Sequence, residues 1–300
     1  MIGWRKNGIL KTPLKFTESP THVVLPFIAE SNSGLYLYFG SRDTDNIAST
    51  YRTKINISAG LAVADSGAEL VLKNGDIGFF DQHGAIASSI VCRGNQRFLY
   101  YIGWSKGHQK PLFSSWIGLA ISDDEGKTFK KYSSAPLIAR SDTDPILMTS
   151  PHVFIDGDNL FRMTYVSGVR WVRKGANYQS FYRICSALSM DGISWEETGR
   201  IILDFDGNVT NFARPWVEKV NSKYIMFYSY KSKDSMYKIG MAVSDDFAFW
   251  QRNDDAVTIK SPVIPSFDDQ MMCYPSIFLD NEFAYLLYNG NDFGRYGAAY

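Results

Sequence analysis

A strand ending in tyrosine returns five times along this chain. The copies are Leu35-Tyr36-Leu37-Tyr38, Phe98-Leu99-Tyr100-Tyr101, Phe161-Arg162-Met163-Thr164-Tyr165, Tyr224-Ile225-Met226-Phe227-Tyr228 and Ala284-Tyr285-Leu286-Leu287-Tyr288. Their last tyrosines stand 63, 64, 63 and 60 residues apart, so five units account for the 300 residues. A fixed period of this length marks one supersecondary unit that cannot bury its apolar face alone and stacks on its neighbours.

Each unit offers more strands. A small-residue strand follows the tyrosine: Ser58-Ala59-Gly60-Leu61-Ala62-Val63, Ile117-Gly118-Leu119-Ala120-Ile121, Ile184-Cys185-Ser186-Ala187-Leu188, Ile239-Gly240-Met241-Ala242-Val243 and Tyr296-Gly297-Ala298-Ala299-Tyr300. A turn and an aromatic come next, as in Ser122-Asp123-Asp124-Glu125-Gly126-Lys127-Thr128-Phe129, Ser189-Met190-Asp191-Gly192-Ile193-Ser194-Trp195 and Ser244-Asp245-Asp246-Phe247-Ala248-Phe249-Trp250. Asp bonds its own backbone there and Gly accepts positive φ, so these turns are structural punctuation. A leading strand precedes each tyrosine strand, for example Pro151-His152-Val153-Phe154-Ile155, Pro215-Trp216-Val217-Glu218 and Pro275-Ser276-Ile277-Phe278-Leu279. Four strands per unit make the blade of a propeller. The expected fold is all-β: a single five-bladed β-propeller domain over residues 1–300, with four antiparallel strands per blade.

The fifth unit stops at Tyr300, where its third strand ends. Its missing partner is legible at the other terminus, because Trp4-Arg5-Lys6-Asn7-Gly8-Ile9-Leu10 matches Trp195-Glu196-Glu197-Thr198-Gly199-Arg200-Ile201-Ile202. Residues near 4–12 are expected to supply the outer strand, closing the fifth blade and removing an exposed edge.

Composition agrees with strands and narrows the partners. Aromatics are 15% of the chain, the flat side chains that fill pleated surfaces. The 31 basic and 31 acidic groups cancel, so net charge gives no reason to expect a nucleic-acid or membrane partner. Cys92, Cys185 and Cys273 show neither a disulfide framework nor a zinc spacing, and are expected as small buried hydrophobes. Met1–Asn7 carries no apolar secretory core, and no apolar run approaches the roughly 18 residues of a membrane span, so a cytoplasmic location is expected. Oligomeric state is not legible.

Propeller geometry puts the loops entering the leading strands and the loops after the tyrosine strands on one face, and such concave mouths bind ligands. That face would gather Thr21, His22, Asp81, His83, Asp144, Ser150, His152, Arg214, Asp269 and Tyr274 with Arg42, Asp43, Lys106, His108, Trp171, Arg173, Lys174 and Lys231. Carboxylates with Arg, His and aromatics suit a polyhydroxylated ligand, and the basic loops suit an anionic sugar group held by charge-assisted bonds. Solvated loop charge and channel-lining histidines are the plainer alternatives. No cofactor is expected; a calcium or other metal ion in the channel stays open, although no helical HxxxH spacing is present.

The five-fold period, the strand-entry prolines and the Ser122–Phe129 turn resemble the five-bladed glycosidase-like propellers, including the arabinanase/xylosidase, invertase and mannoside phosphorylase groups. The turn also resembles the Asp-box of sialidases. In the arabinanase-like group, the resemblance implies an Asp base at the first leading strand and a Glu acid just before a Pro in the third blade. Here those positions read Thr21-His22-Val23 and Thr149-Ser150-Pro151-His152, without the Glu. A hydroxyl cannot replace a carboxylic acid as proton donor.

Two readings follow. One is an enzyme acting on a glycosidic or sugar-phosphate bond, with Asp81 or Asp43 as acid/base, Asp144 and Asp269 as further candidates for a rearranged pair, and Arg42, Arg214, His152, His22, His83, Ser150, Trp171 and Tyr274 holding the ligand. The other is a non-hydrolytic glycan-binding or polysaccharide-biosynthesis protein on a degenerate glycosidase scaffold. A protein-interaction propeller fits a polar mouth less well. Two carboxylates facing each other across a pocket, about 5–10 Å apart, would favour the enzyme.

Overall fold

The computed structural model describes residues 4–10, 22–57, 60–64, 67–109, 111–157, 159–257, 265 and 267–300. Thr21, Ser58 and Ala59, which carried expectations above, lie outside them. Strand is the main regular structure of the described residues, whose helical pieces are two 3-10 turns at Asp254–Ala256 and Asn291–Gly294.

In chain order the strands are β1 (Ile9–Leu10), β2 (Val24–Ser31), β3 (Gly34–Arg42), β4 (Ala48–Ile57), β5 (Leu61–Val63), β6 (Glu69–Leu72), β7 (Gly84–Arg93), β8 (Gln96–Lys106), β9 (Phe113–Ser122), β10 (Lys130–Lys131), β11 (Leu147–Ile155) and β12 (Phe161–Lys174). They continue as β13 (Asn177–Ser189), β14 (Glu196–Leu203), β15 (Val209–Val220), β16 (Lys223–Ser232), β17 (Lys238–Ser244), β18 (Gln251–Arg252), β19 (Cys273–Leu279), β20 (Ala284–Asn289) and β21 (Ala298–Ala299). Neighbours pair as antiparallel meanders: β2–β3–β4, β7–β8–β9–β10, β11–β12–β13–β14, β15–β16–β17–β18 and β19–β20–β21–β1. Single parallel pairs, Ala48 with Gly84 and Tyr182 with Asn211, join some meanders into sheets of nine and eight strands.

The leading strands touch in sequence. β2 meets β7, β7 meets β11, β11 meets β15, β15 meets β19, and β19 meets β2. Side chains stitch this ring: Ser89 Oγ donates to the Pro151 carbonyl at 3.1 Å, and Ser276 Oγ to the Pro26 carbonyl at 2.7 Å. The tyrosine strands lie between covered faces, and Leu99, Tyr100, Tyr101, Tyr165, Tyr228 and Tyr288 are all buried. That explains an apolar run where a half-exposed strand would alternate.

The period-setting tyrosines are held by hydroxyl partners. Tyr101, Tyr165, Tyr228 and Tyr288 donate to Asp81, Asp144, Asp254 and Asp268 at 3.0, 3.0, 2.6 and 2.7 Å. Tyr38 donates instead to the Gly126 carbonyl. Buried phenols need such acceptors, and burial drives all five up from the ordinary phenol range. Lys131 of β10 adds an ion pair to Asp81 at 2.6 Å, and Lys6, three residues before β1, pairs with Asp268 at 2.7 Å. The Asp turns behave as expected: Asp191 accepts the amides of Ser194 and Ile193, and these bonds hold its carboxyl down at about 2.

The N-terminus closes the last meander. Ile9 pairs with Ala299 and Leu10 with Ala298, flanked by backbone bonds between Asn7 and Tyr300 and between Tyr300 and Gly8. Trp4 sets its ring edge-on to Phe227 at 5.8 Å.

Two expectations need correction. In the first unit the partner of the tyrosine strand is β4, not residues 58–63; Leu61–Val63 forms a short strand on the far side of β4. β4 reads Ala-Ser-Thr-Tyr-Arg-Thr-Lys-Ile-Asn-Ile, and its polar face hid it, while the small residues of 58–63 imitated the other units. Cys185 and Cys273 are buried, but Cys92 is exposed near the end of β7.

Candidate functional site

The site begins with a defect repeated in the leading strands. Pairing slips at Val24/Phe27, Thr149/His152, Ala213/Trp216 and Cys273/Ser276, leaving Leu25-Pro26, Ser150-Pro151, Arg214-Pro215 and Tyr274-Pro275 without register partners. The cause is in the sequence: proline lacks the N–H that a ladder needs, so it settles at bulges. The residue before each proline takes positive φ: 56° at Leu25, 53° at Ser150, 49° at Arg214 and 57° at Tyr274. β7 has no such proline and leaves only Ser88 unmatched. A bulge re-aims side chains, and non-glycine residues in this region store strain that clusters at working sites.

Residues from all five leading strands meet around one cavity of about 610 Å³: Val24 and Leu25, Ile86, Thr149 and Ser150, Ala213, and Tyr274. Trp104, Phe113, Tyr182 and Tyr237 add aromatic wall, while Arg42, Lys106 and His108 supply the basic rim. Burial pushes the Tyr182 phenol up to about 12 and raises Tyr274 and Tyr237 as well, so these hydroxyls remain protonated donors at neutral pH. Burial also lowers the Arg42 guanidinium, against an opposing pull from Tyr274. Lys231 sits over the Tyr237 ring at 5.1 Å, with its ammonium depressed by burial.

No carboxylate lines this cavity among the described residues. Asp81 is buried in its bonds to Tyr101 and Lys131, and Asp144 in bonds from Tyr165 and Thr143. Exposed Asp43 accepts the amides of Asp45 and Ile47 at 2.9 and 2.8 Å, capping its own loop. Exposed Asp269 accepts from Asn291 at 2.5 Å. The four candidate carboxylates are thus dispersed, each committed to local structure, and the structure brings no two of them together at the cavity.

The candidate binding residues separate into groups. Arg42, Ser150 and Tyr274 line the cavity. Trp171 stands behind it, edge-on to Phe113 at 6.0 Å and to Tyr182 at 6.2 Å. His22 is half-buried, its imidazole pKa lowered by burial and by Arg42 and Arg295. His83 accepts the Lys106 amide through Nδ1 and lies beside Trp104. His152 does not face the cavity. Its Nδ1 accepts the Val217 amide at 3.1 Å, its ring packs on Trp216 at 4.2 Å, and it borders a separate cavity of about 320 Å³ that shares no lining residue with the first. Arg214 is completely buried, with Nη1 donating to Ser88 Oγ at 2.7 Å.

Sequence reasoning passed over Trp104, Tyr182 and Tyr237. Trp104 was within reach, since it continues the second tyrosine strand three residues past Tyr101, on the end where Arg42 follows Tyr38. Among the described residues no group of three or more His, Cys, Asp or Glu side chains could hold a metal ion, and no helix is long and apolar enough to cross a membrane.

Known structures share the architecture. A glycoside hydrolase superposes with a TM-score of 0.74 at 16% identity, over 98% of this chain and 90% of its own. An α-L-arabinofuranosidase from Lactobacillus brevis gives 0.65 at 13% identity, over 91% and 85%, and a thermostable family-43 glycoside hydrolase gives 0.62 at 16%, over 95% and 86%. These likenesses make the fold that of the β-propeller glycosidase-like proteins. No protein-family model matches the chain. Two sequences from Mycobacterium tuberculosis, the uncharacterized proteins Rv1502 and MT1551, are each 31% identical over 301 residues, spanning 99% of this chain and 97% of theirs. At that identity over nearly the full length of both, this chain belongs to the same family as Rv1502 and MT1551.

Proposed function

We propose that this protein is a five-bladed propeller that binds a carbohydrate in the cavity inside its ring of leading strands and leaves the glycosidic bond intact. The observation that carries the reading is the lining itself: Trp104, Phe113, Tyr182, Tyr237 and Tyr274 with Arg42 and Lys106, and no carboxylate among the described residues. Aromatic faces pack on the C–H faces of sugar rings, while phenols and cations bond the hydroxyls. Hydrolysis by either glycosidase geometry needs two carboxyl groups flanking the scissile bond. The candidates for that pair are tied into the scaffold, Asp81 and Asp144 under buried tyrosines. The five meanders and the cyclic contacts of their leading strands support five blades. The glycoside hydrolases of like fold support a carbohydrate ligand.

The test couples binding to product analysis. A glycan array followed by calorimetry should find a sugar that binds. Trp104→Ala should weaken it about tenfold, the loss of one stacked aromatic. Prolonged incubation with that sugar should release no new reducing ends. Turnover that disappears in Asp81→Asn or Asp43→Asn would return the protein to the hydrolases.

A further inference from the structure

The two cavities lie end to end along one channel. In β7, β11 and β15 an earlier residue lines the larger cavity and a later one the smaller: Ile86 then Ser89, Ser150 then His152, Ala213 then Trp216. Among the described residues none lines both. Arg214 stands where the cavities divide. It follows Ala213, and its Nη1 donates at 2.7 Å to Oγ of Ser88, which lies between Ile86 and Ser89. β15 and β7 are not neighbours in the ring of leading strands, so this side chain crosses the channel from wall to wall. The Phe27 and Trp216 rings lie beside the guanidinium at 5.7 and 5.1 Å, on the side of the smaller cavity. Arg214 and Ser88 are both 0% exposed, so neither cavity opens through the crossbar.

The larger cavity is open at its other end, where Lys106, Gly107 and His108 line it and are exposed. One side is built higher. Val166 and Tyr182 line the cavity, and between them the β12–β13 hairpin runs on to Lys174 and returns from Asn177, with Trp171 packed behind Tyr182. All five leading strands contribute to the lining, so the cavity is a pit: walled around, floored at the crossbar and entered from the loops. A long side chain with donors at its tip suits that floor, because it must span strands that do not adjoin while its flat guanidinium rests on aromatic rings. A groove with two open ends lets a polysaccharide pass through; a pit with one opening admits only the end of a chain. Its volume of about 610 Å³ is that of sites that enclose most of a small ligand. We propose that this protein recognises a glycan by its terminus, taking the last units of the chain end-on, with Arg214 and Ser88 as the positioning pair that closes the pit beneath them. This rests on the carbohydrate reading above and adds which part of the glycan is bound.

The experiment counts chain ends. Linear oligosaccharides and polysaccharides of arabinose, xylose, mannose, galactose and glucose, in series of increasing length, are titrated calorimetrically against the full chain. For a sugar that binds, affinity should rise over the first few units and then level off, because later units stand outside the pit. The number of protein molecules bound per polysaccharide molecule should stay the same as the chain lengthens. Each terminus is then blocked in turn, the reducing end by reductive amination with a bulky aromatic amine and the non-reducing unit by an aryl acetal across its hydroxyls. One block should weaken binding at least about tenfold and the other should not. In Arg214→Ala the floor opens into the smaller cavity, and the levelling-off should move to longer chains, which a merely structural arginine would not produce. A stoichiometry that grows in proportion to chain length, or equal binding of both blocked forms and the free chain, overturns end-on recognition and spares the carbohydrate reading; these wild-type measurements decide even if the variant fails to fold. A folded Arg214→Ala with the levelling-off unmoved overturns the crossbar as the floor. No binding by any of these sugars overturns both readings.

Discussion

Asp81 separates a structural from a chemical role for the buried carboxylates. It is 1% exposed, accepts the Tyr101 hydroxyl at 3.0 Å, and is paired with Lys131 at 2.6 Å. Asp81→Ala removes both bonds. Stranding a fully buried partner costs about 3–5 kcal/mol, but the Lys131 side chain is 23% exposed and can turn to water, which cuts that to about 2. The Tyr101 hydroxyl stays buried without its acceptor, adding about 1–3 kcal/mol. The expected loss is therefore about 3–5 kcal/mol. With an unfolding entropy of about 2.1 cal/mol/K per residue, a chain of this length loses roughly 1.6 °C per kcal/mol, so Tm should fall by about 5–8 °C. Differential scanning calorimetry reads this directly. Lys131→Met in the Asp81→Ala background should cost much less than Lys131→Met alone, because the pair is already broken. Sugar affinity should hold in the folded variant. If Asp81→Ala melts with the wild type and loses a sugar-dependent activity, the carboxylate is a chemical group and the reasoning fails.

Two further perturbations test the closure and the buried acid. Trp4→Ala removes the ring packed on Phe227, and should cost about 2–3 kcal/mol, or roughly 3–5 °C in Tm, with self-association in size-exclusion chromatography as the last meander's edge loosens. Glu218 is raised to about 7 by burial, against a bond from the Trp216 indole. Because the folded state holds that proton more tightly, its contribution is complete below about pH 4.5 and is lost as pH climbs to about 7, an effect of about 3 kcal/mol. Denaturant titrations across that window should show the decline in the wild type and not in Glu218→Gln. His152 works the other way: burial and Arg214 keep its imidazole neutral, so its contribution is complete above about pH 6.5 and shrinks as pH falls. A decline that persists unchanged in Glu218→Gln would refute the assignment.

The scaffold was legible because its demands repeat. A buried phenol needs an acceptor in every unit, so Tyr38, Tyr101, Tyr165, Tyr228 and Tyr288 keep time along the chain, and the Trp4 segment could be matched to the turn at Trp195. The same repetition runs through two of the candidate carboxylates. Asp81, Asp144 and Asp268 precede their tyrosines by 20, 21 and 20 residues. That regularity belongs to the blade, whereas a catalytic pair is singular. β4 was missed because its alternation is polar, and across the bulge at Ser150-Pro151 His152 borders a different cavity from Ser150. Which way a side chain points past a bulge depends on one unpaired residue that no periodicity reports.

What distinguishes the chemistry of this chain is the contrast between a repeated backbone and unrepeated side chains. Four leading strands adopt the same positive-φ residue before proline, at φ between 49° and 57°, each at a cost of about 1–3 kcal/mol. Strain kept at four positions argues that the ring needs its bulges wherever they carry Leu25, Ser150, Arg214 or Tyr274. Those four positions hold an aliphatic chain, a hydroxyl, a cation and a phenol. A symmetric ligand would meet no matching symmetry there. The bulges set where the side chains stand, and three of them, at Leu25, Ser150 and Tyr274, bring unlike side chains to the wall of one cavity.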